Sequence, residues 1–146
     1  MSSSNRGFFR DEWYVVPHDV IFREIDAFGH VNNAVFLTYF EIARTLLWFE
    51  ISGGGREATD IGFIVVRAEV DFIKQISMEP IEICVRAGDV RTSSFDTHYE
   101  IRKAHSGEVA ATGKVVVVMF DWERQSKKPI DDDLRRRLEA CSQVVY

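Results

Sequence analysis

The stretch that most limits how this chain can fold runs from Ala34 to Glu50. Phe36, Tyr39, Phe40, Ala43, Leu46, Leu47 and Glu50 recur at helical spacing, and Val35, Leu37, Ile42, Trp48 and Phe49 add apolar surface elsewhere around the cylinder. A helix that is apolar on most sides must be enclosed. Asn32 or Asn33 is the expected N-cap, since asparagine takes up unpaired amides at a helix start. The run Ser52-Gly53-Gly54-Gly55 is expected to end the helix, because glycine tolerates the left-handed backbone found there.

Strands supply the enclosure. From about Ile61 to Asp121 the apolar residues alternate with polar ones. Val66, Ala68, Val70 and Phe72 are expected to share a core face opposite Arg67, Glu69 and Asp71; Ile81, Ile83, Val85 and Ala87 repeat the pattern, as do Phe95, Thr97, Tyr99 and Ile101. The continuous run VVVVMF within Val109 to Phe120 predicts a central strand covered on both sides. Trp13 to Glu24 reads as a further strand, with Tyr14, Val16, Val20 and Phe22 on one face. Breaks at Met78-Glu79-Pro80, at Asp89 to Ser93 and at Ala104 to Gly107 leave short connections, which join antiparallel neighbours.

The order predicts an α+β fold, a long central helix wrapped by a curved, mostly antiparallel sheet of five or six strands. At 146 residues a single domain over 1–146 is the default, with 1–12 expected to be flexible and 131–142 to form a C-terminal helix after Pro129. One sheet cannot cover such a helix completely. The remaining apolar surface and the long strand edges argue for pairing with a second copy, as a homodimer or homotetramer.

Lysine and arginine total 18 against 23 acidic residues, so the net charge of −5 offers no broad field to nucleic acid or an anionic membrane. The first dozen residues lack the apolar core of a signal peptide, and no later stretch has about 18 consecutive apolar residues, so a cytoplasmic location is expected. Cys84 and Cys141 have no CxxC and no histidine at metal-ligand spacing, and both are read as reduced. Neither a metal nor a cofactor is called for.

The chemistry concentrates in DAFGHVNN, residues 26–33, just ahead of the helix. Asp26 can activate water or attack a carbonyl directly, while free amides of Gly29, His30 or Val31 could hold a developing oxyanion. No G-x-S-x-G elbow competes for the role of nucleophile. His30 is read as orienting the turn, and Tyr39 as either core or substrate wall.

The stretch REIDAFGHVNNAVFLTYFEIAR resembles the signature of hotdog-fold acyl-CoA thioesterases of the 4-hydroxybenzoyl-CoA thioesterase type. AEVDFIKQI, RTSSFDTHYEI, GEVAATGKVVVVMFD and KKPIDDDLRRRL follow that family's pattern in order, from about residue 13 to 138. The resemblance implies an acyl-CoA substrate, Asp26 as the catalytic carboxylate, and Gly29 with its neighbours at the thioester carbonyl. It implies that Thr92, Ser93, Ser94 and Phe95 border the thioester and pantetheine passage, with Val31, Asn33 and Tyr39 as further binding candidates. Glu24 stands where many relatives have the first Asp of a D-x-D pair, Phe36 where many have Tyr, and Met78-Glu79-Pro80 replaces a Gly-Asp turn. Glu41 is the reserve carboxylate, by likeness to another hotdog subgroup. Cations for the CoA phosphates could come from Arg67, Arg91, Lys103, Arg124, Lys127 or Lys128. Two other functions remain open on this fold, a hotdog enoyl-CoA hydratase and a non-catalytic acyl-CoA-binding module.

Overall fold

A computed structural model describes residues 7–52 and 62–142. Among them seven strands, all paired antiparallel, form one sheet system: β1 (Phe8–Arg10), β2 (Trp13–Asp19), β3 (Phe63–Phe72), β4 (Pro80–Val90), β5 (Ser94–Lys103), β6 (Val109–Asp121) and β7 (Ser126–Lys127). The order across the sheet is β1-β2-β4-β5-β6-β3, with β7 added to the end of β6. The five long strands are those the alternation predicts, and the excess over the expected five or six comes from the two short ones.

Helix α1 (Val35–Ile51) lies against the face carrying Ile81, Ile83, Val85, Tyr99, Ile101 and Val117, all at 1% exposure or less. Its buried side is Phe36, Tyr39, Phe40, Ala43, Arg44, Leu47, Trp48 and Ile51, while Leu37 and Glu41 face out. Phe40 stacks on Tyr99 with ring centroids 4.2 Å apart. Gly113 of β6 makes this contact possible, because a Cβ there would overlap the Phe40 ring. The second helix, α2 (Asp132–Ser142), is capped by Asp131, whose carboxylate accepts the Leu134 amide at 2.7 Å.

Several expectations are corrected. Residues 8–10 are tied into the sheet, because β1 pairs with β2, Phe9 meets Tyr14 edge-on and Arg10 bonds Glu82 at 2.8 and 3.0 Å. The first long strand stops at Asp19; Phe22–Glu24 form a 3₁₀ turn that leaves Phe22 exposed. The N-cap of α1 is Ala34, and Asn32 contributes instead by accepting the Ala34 amide on its side chain at 2.9 Å. Its C-cap is Ser52, and Gly53 to Gly55 lie outside the described residues.

Strand β3 is an edge, with a bulge between Val65 and Arg67, so Val66, Ala68 and Phe72 are exposed where a core face was expected. Strand β6 is central, yet Val116 and Val118 are only half-buried in the single chain. No helix among the described residues is long and apolar enough to cross a membrane.

Candidate active site

Between β2 and α1 the chain folds into a miniature hairpin. Its base is the bond from the Asn32 amide to the Glu24 carbonyl at 2.9 Å, its middle is an antiparallel bridge between Ile25 and Val31, and its tip closes where the Asp26 amide meets the His30 carbonyl at 2.8 Å. Gly29 turns the tip with φ of 84°. A Cβ there would meet nothing within 4 Å, so backbone conformation rather than crowding calls for glycine.

The tip carries Asp26. Its Oδ1 accepts the Phe28 amide at 2.8 Å and, more weakly, the His30 amide at 3.4 Å. Among the described residues nothing donates to Oδ2. The carboxylate borders a cavity of about 230 Å³ that is also lined by Phe28, His30, Val31, Asn33 and Phe36 on one side and by Phe72 to Ile76 on the other. The two sides are tied by the Val31 amide, which donates to the Ile76 carbonyl at 2.8 Å, and by Phe36, whose ring meets Phe72 edge-on at 5.1 Å.

Four of the residues singled out in the sequence thus come together at one cavity: Asp26, His30, Val31 and Asn33. Gly29 shapes the turn without lining the cavity. Its amide is engaged by the Asp26 carbonyl at 3.1 Å, so of the three amides expected to be free, those of Gly29 and Val31 have acceptors within the chain and that of His30 has only the long bond. Tyr39 is no substrate wall in the single chain: it is 0% exposed, with its hydroxyl on Glu24 Oε1 at 3.1 Å.

Thr92 and Ser93 lie in the β4–β5 turn, and Ser94 opens β5. Ser94 pairs with Val118 at one end of β6, whereas Phe72 of the cavity pairs with Ala111 at the other. About seven residues of strand separate these positions, roughly 23 Å. That turn is fixed by Arg91, whose guanidinium grips Asp96 at 2.5 and 3.2 Å and whose Nε donates to Ser94 at 2.8 Å. Asp96 is 2% exposed, and the bonds from Arg91 hold its carboxyl below the usual aspartate range although burial opposes this. Glu41 projects from the exposed side of α1, away from the lining residues.

Sequence reasoning assigned no site role to the Phe72–Ile76 wall or to the polar cluster beneath the hairpin. Glu24 is the hub of that cluster. His18 Nε2 lies 3.0 and 3.2 Å from its two oxygens and must carry the proton, since a carboxylate only accepts. The Ile21 amide and the Tyr39 hydroxyl also donate to Oε1, at 3.0 and 3.1 Å. Burial works against the charge on Glu24, but these bonds outweigh it and hold the carboxyl below its ordinary range. The signal in the sequence was Glu24 standing where relatives have Asp. Among the described residues no group of three or more His, Cys, Asp or Glu side chains is gathered as metal ligands.

Residues 20–138 match the model of the thioesterase-like superfamily. The chain is 32% identical over 105 residues to the uncharacterized protein YsmA of Bacillus subtilis (strain 168), covering 71% of this chain and 70% of that protein. A thioesterase from Thermus thermophilus, solved in complex with coenzyme A and zinc, is 30% identical and superposes with a TM-score of 0.77 over 90% of this chain and 95% of its own. A predicted thioesterase from Bacillus stearothermophilus superposes with a TM-score of 0.83 at 23% identity, over 90% and 97%. The protein belongs to the thioesterase-like superfamily and is a thioester hydrolase built on the hotdog fold.

Proposed function

We propose that the chain hydrolyses an acyl-CoA to the free acid and CoA, with Asp26 as the reacting carboxylate. The observation that carries this is the state of Asp26 at the cavity: one oxygen held by backbone amides, the other without a donor among the described residues. Coenzyme A bound to the Thermus thermophilus relative supports the CoA portion of the substrate.

Two routes use the same geometry. In one, Oδ2 takes a proton from water as the water oxygen bonds to the thioester carbon; the tetrahedral intermediate then expels the CoA thiolate, which recovers that proton from Asp26. In the other, Oδ2 itself attacks, CoA leaves as the thiolate, and water cleaves the resulting anhydride. In both, the carbonyl oxygen becomes an oxyanion. The His30 amide is the best placed donor among the three, because its bond to Asp26 is long enough to exchange for a stronger one. Val31 and Asn33 serve as walls of the acyl thioester site, and His30 orders the turn.

The active unit is a homo-oligomer, at least a dimer. Strand β3 is a ten-residue edge that exposes Val65 and Val66, and a second copy added antiparallel there continues the sheet. An antiparallel partner reverses end for end. It carries its Thr92, Ser93 and Ser94 toward this chain's Asp26 cavity, which reunites residues that lie at opposite ends of one sheet.

The test is thiol release across a panel of short, long and aromatic acyl-CoAs, run beside an enoyl-CoA hydration assay. The reading predicts stoichiometric CoA release from at least one class. Hydration with no release would replace it by the hydratase reading, and binding with neither activity would replace it by the binding module.

A further inference from the structure

The hairpin that carries Asp26 is well bonded internally, but among the described residues few polar ties connect it to the rest of the molecule. Toward the cavity wall runs the bond from the Val31 amide to Ile76. Toward the sheet and the helix, the ties converge on Glu24, which is also the residue whose main chain closes the hairpin base.

Its Oε1 alone meets donors from three places: His18 near the end of β2, the Ile21 amide at the entry to the 3₁₀ turn, and Tyr39 in the first turns of α1. The His18 and Tyr39 rings lie 5.1 Å apart, and Tyr39 is completely enclosed, so its hydroxyl has no room to follow a displaced carboxylate. Asp26 lies two residues beyond this bracket.

We infer that Glu24 is a positioning residue for Asp26: by fastening the hairpin base to β2 and α1 at once, it sets where the Asp26 carboxylate stands at the cavity. Its catalytic consequence rests on the thioesterase reading above, whereas the positioning itself does not. Glutamine can keep its oxygen for the Ile21 and Tyr39 donors only by turning an NH₂ toward His18 Nε2, which must then switch tautomer to accept it, and the charge that binds the three donors is lost. Loss of register at the base is then transmitted to the tip, where a shift of about 1 Å is enough to depress turnover severely.

The experiment compares the parent with Glu24→Gln, Glu24→Asp and Tyr39→Phe in two measurements. Backbone amide spectra and a carbon-13 titration of the Asp26 carboxyl need no substrate. In Glu24→Gln the Phe28 and His30 amides are expected to shift and the Asp26 midpoint to move, while resonances of β4, β5 and β6 stay in place. Steady-state kinetics on the best acyl-CoA are expected to show kcat down by about tenfold or more, the effect of losing a bond to a charged group, with KM nearly unchanged. Glu24→Asp, which keeps the charge, is expected to recover part of the rate.

Unchanged Phe28 and His30 amides and an unchanged Asp26 midpoint in folded Glu24→Gln would overturn the inference. Should that variant fail to fold, Tyr39→Phe decides in the same way, since it removes only the 3.1 Å bond. If the spectra shift while the parent cleaves no acyl-CoA, the positioning role stands and the thioesterase reading falls.

Discussion

Gly113 shows how one small residue can set the spacing of the whole core. With the Phe40 ring edge overlapping any added Cβ and the Glu69 carbonyl at 3.0 Å, alanine has no space unless the Phe40–Tyr99 stack moves. Gly113→Ala is expected to cost about 1 to 3 kcal/mol, the usual range for overpacking, which urea denaturation would register as a lower midpoint at similar slope. Nothing in the sequence marked this glycine, because it sits in a strand with a regular alternation and its neighbour comes from the helix. Asp26 was legible for the opposite reason. It lies in a short run of turn-forming residues directly before a helix, where a carboxylate has a chemical use, and the family pattern surrounds it. Glu24 was visible only as a departure from that pattern, since its partners, His18 and Tyr39, are set by tertiary folding.

The helix and the five long strands were readable because their periods of 3.6 and 2 persist along most of each element. The faces expected for β4 and β5 are buried, and what the pattern misjudged was the face of β3, where Val66, Ala68 and Phe72 stay exposed. β3 has the alternation of a half-buried strand, but as an edge with a bulge it leaves Val65 and Val66 exposed in the single chain. The proposed pairing with a second copy would account for those exposed valines, and it makes β3 the element to perturb. Val66→Lys places a charge on the edge, a device by which natural sheets block strand addition. Light scattering after gel filtration is expected to show the parent as a dimer or tetramer and the variant shifted toward monomer, with turnover falling in parallel. A parent that is monomeric at catalytic concentrations would contradict the assembly. The short β1 escaped the sequence reading, since a strand of that length holds too little pattern.

Across the whole molecule, the chain carries net charge −5, and several of its carboxylates are ionised against partners. Bonds from Arg91 hold Asp96 low, the Arg10 bonds hold Glu82 low, and His18 with its neighbours holds Glu24 low against the effect of burial. A carboxyl whose folded pKa lies below its unfolded value contributes stability that is fully present above the unfolded value and is lost as pH falls through the folded one. Stability is therefore expected to change little from these groups between neutrality and about pH 5, then to decline below about pH 4. Asp96→Asn should flatten that acid limb while lowering stability at neutral pH, because Arg91 loses its counter-charge. Denaturation midpoints at neutral and at strongly acidic pH check both statements.

The same scale includes the proposed activity, which as proposed needs the hairpin, the cavity wall and a second copy together. The most direct measurement is the turnover of Asp26→Asn on the acyl-CoA that the parent cleaves best. Asparagine keeps an oxygen that can accept the Phe28 amide, so the turn is retained while the basic oxygen is lost. The variant is expected to be folded and of unchanged assembly, with kcat lower by roughly a hundredfold or more. Parent-like turnover in that folded variant would contradict this expectation and remove Asp26 from the reaction.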